Sequence, residues 1–181
     1  MRYAALILAL AVAPLLTGCS SFVSFEPFVT EDQAATDGNL VGAWQGAGNN
    51  DDKDLTVIRQ KGSAYSIRWF GDDKDMSIGF EGRLMRVGDV ELMDIVVTND
   101  NTFSIPVHML ARVWPDGGTL RWVFLDSGWL EEQAKQSLAT QVAGDRTVVA
   151  TKGVALVQFV KKFAIDEKAY SDQMLHLVRV Q

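Results

Sequence analysis

The sequence predicts a mainly β fold with two helices (α+β): an antiparallel meander curved into a barrel, with the helices packed on it near the C-terminus. Three observations carry this. From Leu40 to Asp126, β-forming apolar residues recur at every second position in seven successive runs. The runs are punctuated by Lys61-Gly62-Ser63, Gly88-Asp89, Asn99-Asp100-Asn101 and Asp116-Gly117-Gly118, turn chemistry because Gly, Asn and Asp tolerate positive φ. After Ser127 the apolar spacing changes to that of a helix.

Taken in order, the chain opens with Arg2 and an apolar run from Ala4 to Leu16 that contains Pro14. At 13 residues the run is short of the span of about 20 that a membrane-crossing helix needs. Residues 19–39 are rich in Ser, Thr, Glu, Asp and Gln and read as a tether, with a fully extended reach of about 65 Å. Phe22, Val23, Phe25, Phe28 and Val29 interrupt it and are expected to pack either on a lipid interface or along the domain. The domain itself is expected over 40–181. Strands are expected at about 40–47, 54–60, 64–70, 76–87, 90–98, 104–114 and 119–126.

Leu55/Val57, Tyr65/Ile67/Trp69, Met76/Ile78/Phe80/Leu84 and Ile105/Val107/Met109/Ala111/Val113 each give a strand one apolar face, as a barrel or strongly curved sheet requires. Beyond Ser127, the stripe Leu130, Ala134, Leu138 and Val142 predicts a helix, with Glu131 and Glu132 in its first turn. A short strand at about 147–150 and a second helix over about 153–170, carried by Leu156, Phe159, Val160 and Phe163, follow. Residues 173–180 alternate and read as a closing strand.

Leu16-Thr17-Gly18-Cys19 places the chain's single cysteine directly behind the apolar run. The segment resembles the lipobox of bacterial lipoproteins, with Arg2 as the charged n-region and small Thr17 and Gly18 at the cleavage site. The resemblance implies removal of residues 1–18 as a signal peptide, diacylglycerol on the Cys19 sulfur and an acyl chain, such as palmitate, on its amine. Ser20 stands where an aspartate retains enteric-type lipoproteins at the inner membrane. The implied location is therefore the outer membrane, facing the periplasm, or the cell membrane of a source that has only one.

Asn39-Leu40-Val41-Gly42-Ala43-Trp44 resembles the Gly-x-Trp segment that opens the barrel of lipocalins and related calycins. That resemblance implies a calycin-like barrel whose closed end is plugged by Trp44. Arg179, in the last strand, is the basic residue implied to lie across it as a cation–π partner. The chain departs from the usual lipocalin order by placing helix, short strand and helix before the final strand.

Loss of residues 1–18 removes Arg2 and no acid, which leaves sixteen basic against 23 acidic side chains and a net charge of −7. Such a balance argues against a nucleic-acid ligand and against electrostatic adsorption to anionic lipid. No zinc spacing, nucleophile elbow or phosphate loop is present, so neither a metal, a cofactor nor an enzymatic activity is expected.

His108 and Arg112 lie on the face of the 104–114 strand opposite its apolar row. If that row packs against the helices, the two line the interior and meet a ligand carboxylate, with Asp94 or Asp126 as neighbours. Otherwise they form a buried polar network that fixes strand register. Asp-Asp-Lys-Asp occurs at 51–54 and again at 72–75. Because alternate links of a meander share an end, Asp51, Asp52, Asp72 and Asp73 are expected to rim one mouth together with Asp54, Asp75 and Asp100. That rim is either a surface for a basic partner or solvated hairpin tips.

The function expected is non-catalytic binding of a small, partly apolar ligand by a membrane-anchored lipoprotein. The alternative is an envelope assembly or accessory protein acting through protein–protein contacts.

Overall fold

The computed structural model describes residues 21–47, 54–71, 77–98, 105–143, 146–170 and 174–180. In chain order the strands are β1 (Ser21–Ser24), β2 (Gly42–Gly46), β3 (Leu55–Lys61), β4 (Ala64–Phe70), β5 (Ser77–Val87), β6 (Val90–Val97), β7 (His108–Asp116) and β8 (Thr119–Phe124). Helix α1 (Ser127–Ser137), β9 (Thr140–Ala143), β10 (Arg146–Val149), α2 (Val154–Phe163) and β11 (Leu175–Arg179) complete the order.

β2 to β8 pair antiparallel with their sequence neighbours, and β11 pairs antiparallel with both β8 and β2. Eight strands thereby close into an up-and-down barrel with no free edge, consistent with a calycin-like barrel. The tight turns at Gly62, Gly88 and Gly117 gather at one end. Gly88 and Gly117 adopt φ of 59° and 52° there, a conformation in which a Cβ is strained. Pairings Gln45↔Leu55, Phe70↔Ser77 and Val96↔His108 put the three longer links at the other end.

Two cores result. Trp44, Ile58, Tyr65, Ile67, Leu84, Met93, Ile95, Ala111, Val113, Leu120 and Trp122 fill the barrel. The outer faces of β5 to β7 supply Met85, Val90, Leu92 and Leu110 to a second core, completed by Phe22, Phe28 and Val29 before the barrel and by Leu130, Leu156, Phe159 and Val160 of the helices. β1 lies parallel to β10, and the Ser24↔His108 bridge ties this ribbon to the barrel. Of the two settings the sequence leaves open for the apolar residues of 19–39, packing along the domain is thus the one observed for Phe22, Val23, Phe28 and Val29, whereas Phe25 is exposed. Among the described residues no helix is long and apolar enough to cross a membrane.

Three expectations need correction. Leu55 and Val57 face outward, because Trp44 pairs with Thr56 and so turns Thr56 and Ile58 inward. Val142 does not extend the α1 stripe. The helix ends at Ser137, and Thr140–Ala143 pairs with β10 instead, in keeping with the β-branched Thr140 and Val142. The sixth expected run also begins later than position 104, at His108, leaving Ile105 exposed.

Candidate functional site

At the end where the long links leave, the barrel interior is not filled. A cavity of about 170 Å³ lies between Thr56, Ile67, Trp69, Phe80 and Ile95 on one side and Trp122, Phe124, Leu175 and Leu177 on the other. Strand parity places these side chains: each is an inward residue in the half of its strand nearest the links. Further in, a Cβ on Gly82 would collide with Met93 Sδ and press on Ile67 Cδ1. Glycine at this position therefore lets Met93 and Ile67 fill the space beneath the cavity.

The wall is almost wholly apolar, so its polar groups matter individually. Trp69 Nε1 donates to Asp54 Oδ2 at 3.1 Å. Trp122 Nε1 is buried and has no partner among the described residues. An unsatisfied buried donor costs about 1–3 kcal/mol.

His108, Arg112, Asp94 and Asp126 do not line this space. Met109, Ala111 and Val113 share the inward parity of β7, which turns His108, Leu110 and Arg112 to the outer face. The placement that would let them meet a ligand inside the barrel is thus replaced by an interlayer polar network. Asp94, only 2% exposed, accepts from His108 Nδ1 at 3.0 Å and from the Val29 N–H at 3.2 Å, so it fastens the N-terminal segment to the barrel wall.

Arg112 instead pairs with Glu167 at 3.1 Å and stacks on Trp114 and Tyr170, its guanidinium carbon 4.3 and 5.2 Å from their rings. The Tyr170 hydroxyl donates to the Ala164 carbonyl. Burial is the main cause that pushes its pKa up to about 12, with Glu167 reinforcing and Arg112 opposing. Asp126 is remote from this chemistry in role: its carboxylate caps α1 by accepting from the Trp129 N–H at 2.7 Å.

The structure does bring Trp44 and Arg179 together. Trp44 is fully buried, and its Nε1 donates to the Leu40 carbonyl at 3.0 Å. The Arg179 guanidinium carbon lies 4.3 Å from the ring. Its Nη1, Nη2 and Nε donate to the carbonyls of Val41, Asn39 and Gly117 at 2.7, 2.8 and 2.8 Å. Both ends of the barrel sequence are thereby pinned across the plug. Cys19 and the acidic Asp51, Asp52, Asp72 and Asp73 lie outside the described residues. The strand ends that flank the two acidic repeats are nonetheless at the cavity end.

The cavity residues were readable only as core positions in the sequence. The signal that distinguishes them is their place on the inward face beside the link ends, where Trp69, Phe80, Trp122 and Phe124 supply bulk without closing the space. Among the described residues no group of three His, Cys, Asp or Glu side chains could hold a metal ion. Comparison with protein-family models, curated proteins and solved structures gives no match for the chain.

Proposed function

We propose that the chain is a lipid-anchored, periplasm-facing protein whose barrel holds a small, partly apolar molecule without transforming it. The observation that carries the binding reading is the apolar cavity of about 170 Å³ at the link end of the barrel. An apolar cavity of about 150 Å³ accepts benzene, so the recognised part of the ligand is one ring or a short acyl end. The lipobox resemblance of Leu16-Thr17-Gly18-Cys19 supports the anchor.

Native mass spectrometry of the purified protein, compared with an Ile95→Trp variant whose indole occupies the cavity, tests the binding reading. A small-molecule adduct on the parent protein that the variant lacks is the expected result. Parent and variant spectra that are alike, with or without an adduct, would defeat it. The anchor is tested separately: Cys19→Ser should abolish palmitate labelling, and unchanged labelling would remove the anchor from the proposal.

A further inference from the structure

We propose that the outward side of α2, flanked by Phe25, is the face that rests on the headgroup layer of an anionic phospholipid bilayer. The proposal rests on the anchoring reading above. Its first support is the length of chain available. Phe22 and Val23 of β1 are already core residues, so only Ser20 separates Cys19 from the first strand. Three residues of extended chain from Cys19 to Phe22 reach about 11 Å. The long tether that the composition of 19–39 suggests is therefore absent from the anchored molecule, and the domain must lie against the membrane.

Which side lies there follows from what Phe22 touches. Its ring stacks on Phe159 of α2, with centroids 6.3 Å apart, so the anchor point is tied to the α2 layer. The opposite side of α2 combines exposed apolar tips with lysines. Val154 is 77% exposed at its start, Ile165 is 66% exposed just past its end, and Lys161 and Lys162 are exposed between them. α2 contains no acidic residue, in a chain whose net charge is −6.

Neighbouring acids are engaged elsewhere: Glu26 pairs with Lys152 at 2.8 Å, Glu167 pairs with Arg112, and Asp166 accepts from the Lys168 N–H. Phe25, next to Glu26 in the chain, is 49% exposed. Apolar tips separated by lysines suit a bilayer interface, where the aliphatic stems lie in the apolar boundary and the ammonium groups reach the phosphates. The acidic balance argues against adsorption of an unanchored chain to anionic lipid, whereas here the anchor holds the domain at the surface and the local charge of the face decides how it sits. Acids on the far wall of the barrel act only weakly over more than a Debye length of about 8 Å.

The test uses the full-length lipidated protein. With Cys19 acylated no thiol is free, so a cysteine placed at Val154, at Ile165 or, as a control on the barrel wall, at Arg59 takes a polarity-sensitive fluorophore alone. The proteins are reconstituted in phosphatidylcholine vesicles with or without phosphatidylglycerol, and quenched with headgroup-depth spin-labelled lipid. The expected result is a blue shift and strong quenching at 154 and 165 in the anionic vesicles, and neither at 59. Lys161→Gln with Lys162→Gln should remove much of that quenching. Equal signals at all three sites, or quenching at 59 alone, would overturn the orientation while palmitate labelling still upheld the anchor. Absence of palmitate from the parent protein would overturn the anchor, and this orientation with it.

Discussion

Gly42 shows how a single missing Cβ decides the end of the barrel. A methyl group there would overlap Arg179 Nη1, the atom that donates to the Val41 carbonyl while the guanidinium covers Trp44. Gly42→Ala should therefore cost about 1–3 kcal/mol, the usual range for added bulk at a packed site. Trp44→Ala should cost about 3–5 kcal/mol as a large core truncation, and Arg179→Ala less, since its bonds lie near solvent. The informative measurement is the double-mutant cycle by urea denaturation. Gly42 also has a φ of 157°, which an L residue rarely adopts, so removing the clash in the Arg179→Ala background should recover only part of the loss. An undiminished loss in that background would mean that the glycine is needed for another reason. The pairing of Trp44 with a late Arg was legible only through the resemblance of the Gly-x-Trp segment to the one that opens calycin barrels. The three carbonyl partners of Arg179 were not legible, since backbone acceptors leave no trace in residue identity.

At the scale of elements, alternation was legible wherever one face of a strand is apolar and the other wet. It misled at β3, where Leu55 and Val57 on the outside are as apolar as inward Ile58. The cavity needs Thr56 on the inside, and that polar residue removed the pattern that would have revealed the true face. β7 left two facings open for a related reason: it is buried on both sides, so periodicity alone could not say which row meets the helices. The N-terminal segment is the opposite case. Its Ser- and Asp-rich composition hides a core element, because Phe28 is fully packed in the outer layer, 6.5 Å from the Phe22 ring. Phe28→Ala should accordingly cost about 3–5 kcal/mol in chemical denaturation. A mere tether would show a change within about 0.5 kcal/mol, so a value that small would detach the segment from the fold.

Across the whole molecule, the two cores are not independent bodies, because β5, β6 and β7 contribute alternate residues to each. Leu84 and Met85, Leu92 and Met93, and Leu110 and Ala111 are consecutive pairs with one member in the barrel and the other beneath the helices. None of these strands has a free edge, and β6 is buried on both faces. β9, by contrast, pairs with β10 alone and ends the ribbon, while β3 keeps an outer face that no helix covers. Opening the ribbon breaks one ladder, whereas opening β6 must disrupt both cores together. Native-state hydrogen exchange should therefore give a gradient of protection: amides of β6 and of the paired part of β7 exchange only through global unfolding, and those of β9 exchange through a smaller, local opening. Denaturant dependence separates the two modes, since global opening exposes far more surface and has the steeper slope. If β9 amides share the slope and free energy of β6, the outer layer and the barrel open as one unit, and the shared strands couple the layers more tightly than their edges imply.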